Sequence, residues 1–366
     1  GLPWWRRPRR IDRQFASALV VTAVLAVVTF GGLNYVAARD LLVRGTEGEL
    51  AGVASARAEA VEAGSSRLIA EVSASSADLA IAQALDDLTA AFGALEEETL
   101  DEGQLAELEQ WYQTRVDVLN DAGFGPISAR DLVPRSAAAQ WVQFHYTVRP
   151  DGEPPPIDAG DGTAYSALNA RVTPFFESFA DQQAGGDVLL LDNAGTIVYT
   201  LDKRNDVGTN LVVGPYADSE LARVVTEALP RARVGTAVLT DFSVSPTGRA
   251  ALFAVSAVRS GSEVLGALAV EVPVAVINAV TSSIGAWDDV GLRGGDVYLV
   301  GSDQTLQSEP RAWLDDPDAY LAGLRAGTEE QQAEADLIEL FGSPVGIQVI
   351  GTDPVLAALD GEEFRG

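Results

Sequence analysis

Six side chains between positions 199 and 253 could together recognise a small molecule. Asp241 ends a run that we predict to be a β-strand, and a carboxylate there could accept hydrogen bonds from an amine or a hydroxyl group. We expect the other five to shape the same pocket: Tyr199, Tyr216, Phe242, Arg249 and Phe253. A second interpretation of Asp241 is a turn cap. The sequence supports both equally, because turns and pockets both recruit aspartate.

The sequence contains no recognisable catalytic set. It has no cysteine, which excludes thiolate nucleophiles, disulfides, iron–sulfur clusters and cysteine-ligated zinc. Its one histidine, His145, lies among aromatic residues, and this favours a packed side chain over a general base. We therefore predict no catalytic residue, no metal site and no cofactor in this chain.

Two aspartate-rich segments are candidates for calcium binding. They are Asp315-Asp316-Pro317-Asp318 and Asp158-Ala159-Gly160-Asp161-Gly162, and neither has the spacing of an EF-hand loop. The first segment precedes a helix-prone stretch, so we interpret it as the N-cap of that helix.

The pocket residues must be positioned by one of two similar hairpins. In the first hairpin, Gly185–Leu191 is followed by a polar turn at Asn193-Ala194-Gly195 and a second apolar run. Without a gap, Gly294–Leu306 repeats the glycine pair, the aspartate, the valine and the later threonine. An apolar run, a short polar turn and a second apolar run predict a β-hairpin. The chain therefore contains two related sheet modules.

The elements after the first hairpin predict an antiparallel sheet. We expect a helix capped by Asp218 or Ser219 that ends near Leu229, because Pro230 follows. A turn at Ser260-Gly261-Ser262 separates the last two of three further strands. The predicted strands and the closing helix are Ala237–Phe242, Arg249–Val258, Glu263–Val272 and Val274–Thr281. The fold class is α+β, with a five-stranded PAS-like sheet.

The charge balance restricts the partners of the protein. The net charge is −28, and this repels the phosphate backbone, so we predict no nucleic-acid partner. With 47% hydrophobic residues, the chain can build a substantial core.

The N-terminal region predicts a membrane anchor. Residues 1–13 carry five arginines, and residues 14–38 contain no charged side chain. An apolar stretch of this length crosses a bilayer as a helix, and the preceding arginines place the N-terminus in the cytoplasm. Residues after about 39 are then extracytoplasmic, on a single- or double-pass protein. The alternative is a cleaved signal peptide, which the length of the apolar run disfavours.

Residues 39–183 are predicted to form a helical stalk and the N-terminal helices of the sensor. Leu79, Ala82, Leu85, Leu88, Phe92 and Leu95 recur at helical spacing, and the acidic run Glu96–Glu102 indicates a break. One interpretation is a long helix that rises from the membrane and forms a homodimer with a second chain. The other is a set of amphipathic helices packed on their own domain, and we favour the first because it continues from the membrane segment.

Several motifs in this order resemble the extracytoplasmic double Cache sensors of bacterial receptors. They are Asp187–Leu191, Ile197–Thr200, Gly208–Leu211, Gly214–Tyr216, Thr240–Phe242 and Tyr298–Asp303. The resemblance covers most of residues 39–366. It implies a long N-terminal helix, a membrane-distal module at 184–283 that binds ligand, and a membrane-proximal module at 284–366.

The chain departs from this resemblance in two respects. Amino-acid sensors of the family carry an Arg-x-Trp-Tyr motif in the distal module, and this sequence has none there. The second module has a first hairpin, a helix-prone stretch Asp318–Leu340 and one strand, Val345–Ile350. We therefore expect the second module to be incomplete. The chain also begins without methionine, and we expect it to be part of a longer protein.

The resemblance implies the sensing region of a transmembrane signalling receptor. A small molecule of unknown identity would bind the distal module and act on a cytoplasmic output domain outside this chain. In order of preference, we expect the output domain to be a nucleotide cyclase, a histidine kinase or a chemotaxis transducer. The alternative is a membrane-anchored binding or adhesion module without an output.

Overall fold

A computed structural model describes residues 48, 51–121, 126–150, 152–182, 186–231, 235–244, 248–281 and 296–362. The basic tail at 1–13 and the apolar segment at 14–38 lie outside these residues. Among the helices that are described, no single one is long and apolar enough to cross a membrane. One bent pair, 51–76 with 79–97, satisfies the criterion by length and composition, with an angle of 65° between its halves.

The described part of residues 51–182 is mainly helical. Its helices are α1 (Ala51–Ser76), α2 (Leu79–Ala94), α3 (Glu102–Asp121), α4 (Ala129–Leu132), α5 (Ala137–Val142) and α6 (Ala164–Gln182). A 3₁₀ turn extends α2 to Glu97, and a π turn extends α5 to Thr147. Asp78 separates α1 from α2, because its side chain accepts the backbone N–H of Ala80 and so caps α2.

The amphipathic stripe of α2 packs on the protein's own sheet and on α6, as in the second interpretation of the stalk. The stripe begins at Ile81, whereas Leu79, predicted as its first member, is 67% exposed. Leu79 is the first residue after the cap, and its side chain therefore lies before the first turn that faces the core. The remaining predicted members of the stripe are buried.

A six-stranded antiparallel sheet follows the helices. Its strands are β1 (Val188–Asp192), β2 (Ile197–Thr200), β3 (Val238–Leu239), β4 (Ser243–Val244), β5 (Ala250–Ser260) and β6 (Glu263–Pro273). The spatial order is β2-β1-β6-β5-β3, and β4 also pairs with β5. The α+β fold class and the antiparallel sheet are confirmed, and the sheet is consistent with a PAS-like fold. The described sheet has six strands instead of the predicted five, because the predicted strand Ala237–Phe242 contains only β3, and β4 follows directly after it.

Both faces of this sheet are covered. On one face, Leu190 and Ala254 join the core formed with α2, α5 and α6. On the other face, Leu189 and Val255 pack under helix α7 (Glu220–Arg223), which continues through a π turn and a 3₁₀ turn to Arg231. Ser219 caps α7 by accepting the backbone N–H of Ala222. Helix α8 (Val274–Thr281) leaves the end of β6.

The predicted strand Ala237–Phe242 is interrupted. Its first part is β3 and pairs with β5, but Val238 faces Val255 while Ser243 faces Ala251, so one extra residue lies between β3 and β4. The hydroxyl of Thr240 accepts the N–H of Phe253 at 2.8 Å within this interruption. The geometry is that of a β-bulge.

Residues 296–362 form a second unit. It contains α9 (Arg311–Asp315), α10 (Pro317–Arg325), α11 (Glu329–Phe341) and α12 (Asp353–Leu359). The helix predicted over Asp318–Leu340 is two helices, because Gly327 interrupts it and Thr328 begins a new capping box with Gln331. The strand predicted at Val345–Ile350 is reduced to a single bridge between Thr305 and Val349.

The two hairpins have the same hydrogen bonds, offset by 109 residues. In the first, Asp192 N–H bonds to Thr196 C=O and Gly195 N–H to Asp192 C=O. In the second, Gly301 N–H bonds to Thr305 C=O and Gln304 N–H to Gly301 C=O. The third residue of each turn has a positive φ, 83° at Gly195 and 68° at Gln304. The repeat seen in the sequence therefore extends to the backbone.

Candidate functional site

The six predicted pocket residues do not converge on one cavity. Tyr199 lies on the face covered by α2, α5 and α6. Its hydroxyl is 3.3 Å from that of Thr173, and its ring packs on Phe176. Phe253 and Tyr216 belong to the opposite face, under α7. The strand register explains the separation, because Tyr199 pairs with Leu190, Leu190 with Leu268 and Leu268 with Ser256. Phe253 is an odd number of residues from Ser256 on β5, so its side chain lies on the opposite face.

The other three lie near the interruption between β3 and β4. Asp241 is exposed and Phe242 is buried. Arg249 is half exposed, and its guanidinium lies 3.9 Å from the carboxylate of Asp202. Two cavities are described below. Of the six residues, only Phe242 lines the first cavity, and none of them lines the second.

The first cavity is an apolar groove between α1, α8 and the sheet, with a volume of about 470 Å³. Its apolar walls are formed by Ala60, Val61, Gly64, Leu68, Leu239, Phe242, Leu252, Val272, Val276, Ile277 and Val280. Its polar rim consists of Ser65, Arg67, Glu71, Asp181 and Gln182. We call this cavity the α1–α8 groove. An apolar cavity of this size with a few polar groups at one end is typical of small-molecule sites.

The backbone of Phe242 connects the α1–α8 groove to the second unit. The side-chain amide of Gln307 accepts the N–H of Phe242 at 2.6 Å and donates to its C=O at 3.2 Å. Gln307 thus supplies both hydrogen bonds that a neighbouring strand would have made in the interruption between β3 and β4. A displacement of Phe242 would break or shift these bonds.

A second set of hydrogen bonds holds α8 against the same unit. The side chain of Asn278 donates to the carboxylate of Glu309 at 2.6 Å, and its oxygen accepts the N–H of Glu309 at 2.9 Å. Ser343 donates to the other oxygen of Glu309 at 2.7 Å. Both α8, which lines the groove, and Phe242 are therefore bonded to residues of the second unit.

The residues around the ends of β1, β2 and β6 form a buried charged cluster that the sequence reasoning missed. Asp187 accepts backbone N–H groups from Val188, Leu201 and Asp202 through one oxygen. Arg204 bridges the carboxylates of Asp202 and Glu271. The signal available in the sequence is the dense charge in 202–206.

Burial governs the ionisation of this cluster. It raises the pKa of Asp206 to about 7, although the nearby Arg204 guanidinium opposes the shift. Burial also raises the pKa values of Asp187 and Glu271. One carboxylate oxygen of each of these three residues has no hydrogen-bond partner within the described ranges. Burial without a full set of hydrogen bonds disfavours the charged form of these carboxyl groups, which is the direction of the shifts.

The second cavity, a mixed cleft of about 700 Å³, lies beside this cluster. Its walls come from α3, the segment after α5, the loop 203–205 and the end of α11. The guanidinium of Arg115 lies over the ring of Trp111 at 3.5 Å. Arg149 spans the cleft wall, donating to the carbonyls of Asp202 at 2.7 Å and Lys203 at 3.0 Å. These contacts hold the loop against the helices.

The weaker candidates have structural roles. Nδ1 of His145 lies 2.9 Å from the carbonyl of Trp141, and its ring packs on Trp141 and Phe144. Asp316 caps α10 by accepting the N–H of Ala319, as predicted. Asp161 accepts the indole N–H of Trp141 at 3.0 Å. Within the described residues there is no group of three His, Cys, Asp or Glu side chains that could hold a metal ion.

No protein-family model matches the chain, and no curated protein matches its sequence. Among solved structures, it is similar to the ligand-binding domain of the Pseudomonas fluorescens chemoreceptor CtaA in complex with L-serine. The identity is 15% and the TM-score 0.27, over 58% of this chain and 70% of that one.

Two further structures are also similar. The sensor domain of the Vibrio cholerae histidine kinase DctB has 18% identity and a TM-score of 0.27, over 44% of this chain and 58% of that one. The ligand-binding domain of the Campylobacter jejuni chemoreceptor Tlp3, in complex with 4-methylisoleucine, has 10% identity and a TM-score of 0.29, over 64% and 73%. All three structures are ligand-binding or sensor domains of bacterial receptors. The fold assignment itself rests on the order and pairing of this chain's own strands.

Proposed function

We propose that this chain is the extracytoplasmic sensing region of a bacterial transmembrane signalling receptor. A small molecule binds the first module, 184–283, and the signal passes through the second module and the membrane helix to a cytoplasmic output domain. The apolar segment at 14–38 and the arginines before it support the membrane anchor and its orientation.

One observation carries this proposal: the wall of the α1–α8 groove is hydrogen-bonded to the second module. Phe242 lines the groove, and its N–H and C=O are both bonded to Gln307. A ligand that favours one position of Phe242 would therefore bias the position of the second module, which is the requirement for signalling by population shift. A simple binding module would have no need of this connection.

The division into tandem Cache modules is part of the proposal. The offset of 109 residues between equivalent hydrogen bonds supports it. In each module, the equivalent threonine of the hairpin also forms a β-bridge to a third segment, which follows the hairpin in the chain. Thr196 pairs with Asn210 in the first module, and Thr305 pairs with Val349 in the second. The helices α9, α10 and α11 then form an insertion before the third segment of the second module.

The remaining elements complete the proposed receptor. Residues 39–183 connect the membrane to the first sheet, and a homodimer would form through their helices. The proposed output is a nucleotide cyclase or a histidine kinase beyond Gly366. The lipid bilayer is the partner of residues 14–38.

The topology can be tested with single cysteines, because the sequence contains none of its own. Ser262 lies in the exposed turn between β5 and β6, and Leu2 lies in the basic tail. In intact cells, a membrane-impermeant maleimide should label Ser262→Cys and leave Leu2→Cys unlabelled. Lysed cells provide the control, in which both variants should be labelled. Labelling of Leu2→Cys but not Ser262→Cys in intact cells would overturn the proposed orientation.

A further inference from the structure

The α1–α8 groove has a continuous apolar floor and walls. Leu252 and Val272 of the sheet form part of its surface, with Val61 and Leu68 of α1 on one side. On the other side, Ile277 and Val280 of α8 line the groove. In α8, which is apolar except for Asn278 and Thr281, only Thr281 is fully buried. A ligand in the groove would thus cover apolar surface that the fold leaves partly exposed.

The rim of the groove favours positive charge. Asp181 and Gln182 stand in the last turn of α6, and this turn contains no basic residue. The carboxylate of Asp181 is therefore close to the helix C-terminus, whose carbonyl groups carry partial negative charge. Arg67, the cation on this rim, forms an ion pair with Glu71 at 2.7 Å. Among the described residues that line the groove, Asp181, which is exposed, and the end of α6 remain as the excess negative charge.

We propose that the α1–α8 groove binds a small amphiphile that has an apolar body and one ammonium group. The body lies against Leu252, Val272 and Ile277, and the ammonium group lies at the rim beside Asp181. This inference rests on the proposed sensing function and adds the chemical class of its ligand. Because Phe242 is part of the wall, the ligand contacts the residue that is bonded to the second module.

The test uses the full chain in lipid nanodiscs and calorimetric titration with four probes. Hexylammonium should bind about three-fold more tightly than 1-hexanol, because the rim charge and the helix terminus attract the ammonium group. Hexanoate should bind more weakly than both. Butylammonium should bind about 15-fold more weakly than hexylammonium, since it buries two fewer methylene groups. Empty nanodiscs provide the correction for partitioning into lipid.

Two glycines of α1 provide a matched pair of variants. A Cβ at Gly64 would meet nothing within 4 Å, so Gly64→Phe can place its ring in the groove without a backbone clash. Gly52 is equally open in the same helix but does not line the groove. Gly64→Phe should abolish hexylammonium binding, and Gly52→Phe should retain it. Asp181→Asn should remove the difference between hexylammonium and 1-hexanol.

Three results would overturn the inference. They are hexanoate binding as tightly as hexylammonium, unchanged binding in Gly64→Phe, and no binding above that of empty nanodiscs. None of them depends on membrane orientation, whereas the cysteine-labelling experiment depends on orientation alone. Failure of the ligand assignment and failure of the proposed receptor topology are therefore distinguishable.

Discussion

Lys203 is the only lysine of the sequence, and it is 1% exposed. Its Nζ lies 3.6 Å from the centroid of the Tyr199 ring and donates to the carbonyl of Thr200. Burial lowers its pKa to about 7, and the nearby carboxylates of Asp187 and Asp202 oppose this shift. The amine is therefore largely uncharged at mildly alkaline pH but inaccessible to reagents in solution.

This burial predicts strong protection of Lys203 from acylation. At pH 8, an amine-reactive ester should label the N-terminal amine of the native protein and leave Lys203 unmodified. Reaction at Lys203 requires local opening of the loop, so unfolding in urea should accelerate it by about 100-fold or more. Peptide mass spectrometry measures both rates.

An exposed amine provides the reference for this measurement. Arg171 is largely exposed on α6, and Arg171→Lys places an amine there. In that variant, the introduced amine should react at the rate of an exposed lysine while Lys203 stays protected. Equal rates at the two positions would show that Lys203 is not buried in solution.

At the scale of the element, the two hairpins use one turn geometry with different residues. Gly195 has a φ of 83° and Gln304 has a φ of 68° at the equivalent position. Glycine adopts this left-handed conformation without a steric penalty, whereas other residues pay about 1–2 kcal/mol. The second hairpin therefore contains a strained residue that the first hairpin avoids.

Exchange of these two residues should have opposite effects on stability. Gln304→Gly relieves the strain, and we expect the free energy of unfolding to rise by about 0.5–1 kcal/mol after the entropy of the added glycine is subtracted. Gly195→Gln should lower it by about 1–2 kcal/mol, since a Cβ there also comes within 3.0 Å of Val212. Urea unfolding measures both values. A loss of stability in Gln304→Gly would contradict the strain.

At the scale of the whole molecule, a few polar side chains join the second unit to the first sheet. Gln307 bonds to Phe242 between β3 and β4, and Asn278 of α8 bonds to Glu309. Gly346 also lies against Ser243, where an added Cβ would come within 2.8 Å of the Ser243 Cα. These contacts define where a movement of the first module can reach the second.

Removal of Gln307 should loosen this junction without unfolding the sheet. In Gln307→Ala, the buried N–H and C=O of Phe242 lose their partners, at a cost of about 1–3 kcal/mol. Hydrogen exchange should become about ten-fold faster or more in residues 299–309, while β5 and β6 keep their protection. Gln332→Ala is the control, because Gln332 is exposed and its side chain bonds, among the described residues, only to the carbonyl of Gly327 in its own segment. Equal acceleration in both variants would exclude a coupling role for Gln307.

The sequence by itself determined the elements whose signals are local. Strands β1, β2, β5 and β6 and the bounds of α8 follow from apolar runs, turn glycines and capping residues. The cap of α7 was limited to Asp218 or Ser219, and the structure has it at Ser219. The hairpin repeat was also readable, because the glycine pair, the aspartate, the valine and the later threonine recur at the same spacing.

Only the tertiary structure decided where the predicted pocket residues point. The register of β2, β1, β6 and β5 places Tyr199 and Phe253 on opposite faces, and an extra residue between β3 and β4 interrupts the strand at Asp241. One-residue shifts reverse the faces of a strand and leave no mark in its apolar pattern. The dense charge in 202–206 is visible in the sequence, but the burial of Lys203 and Glu271 is not, since burial depends on packing between segments distant in the chain.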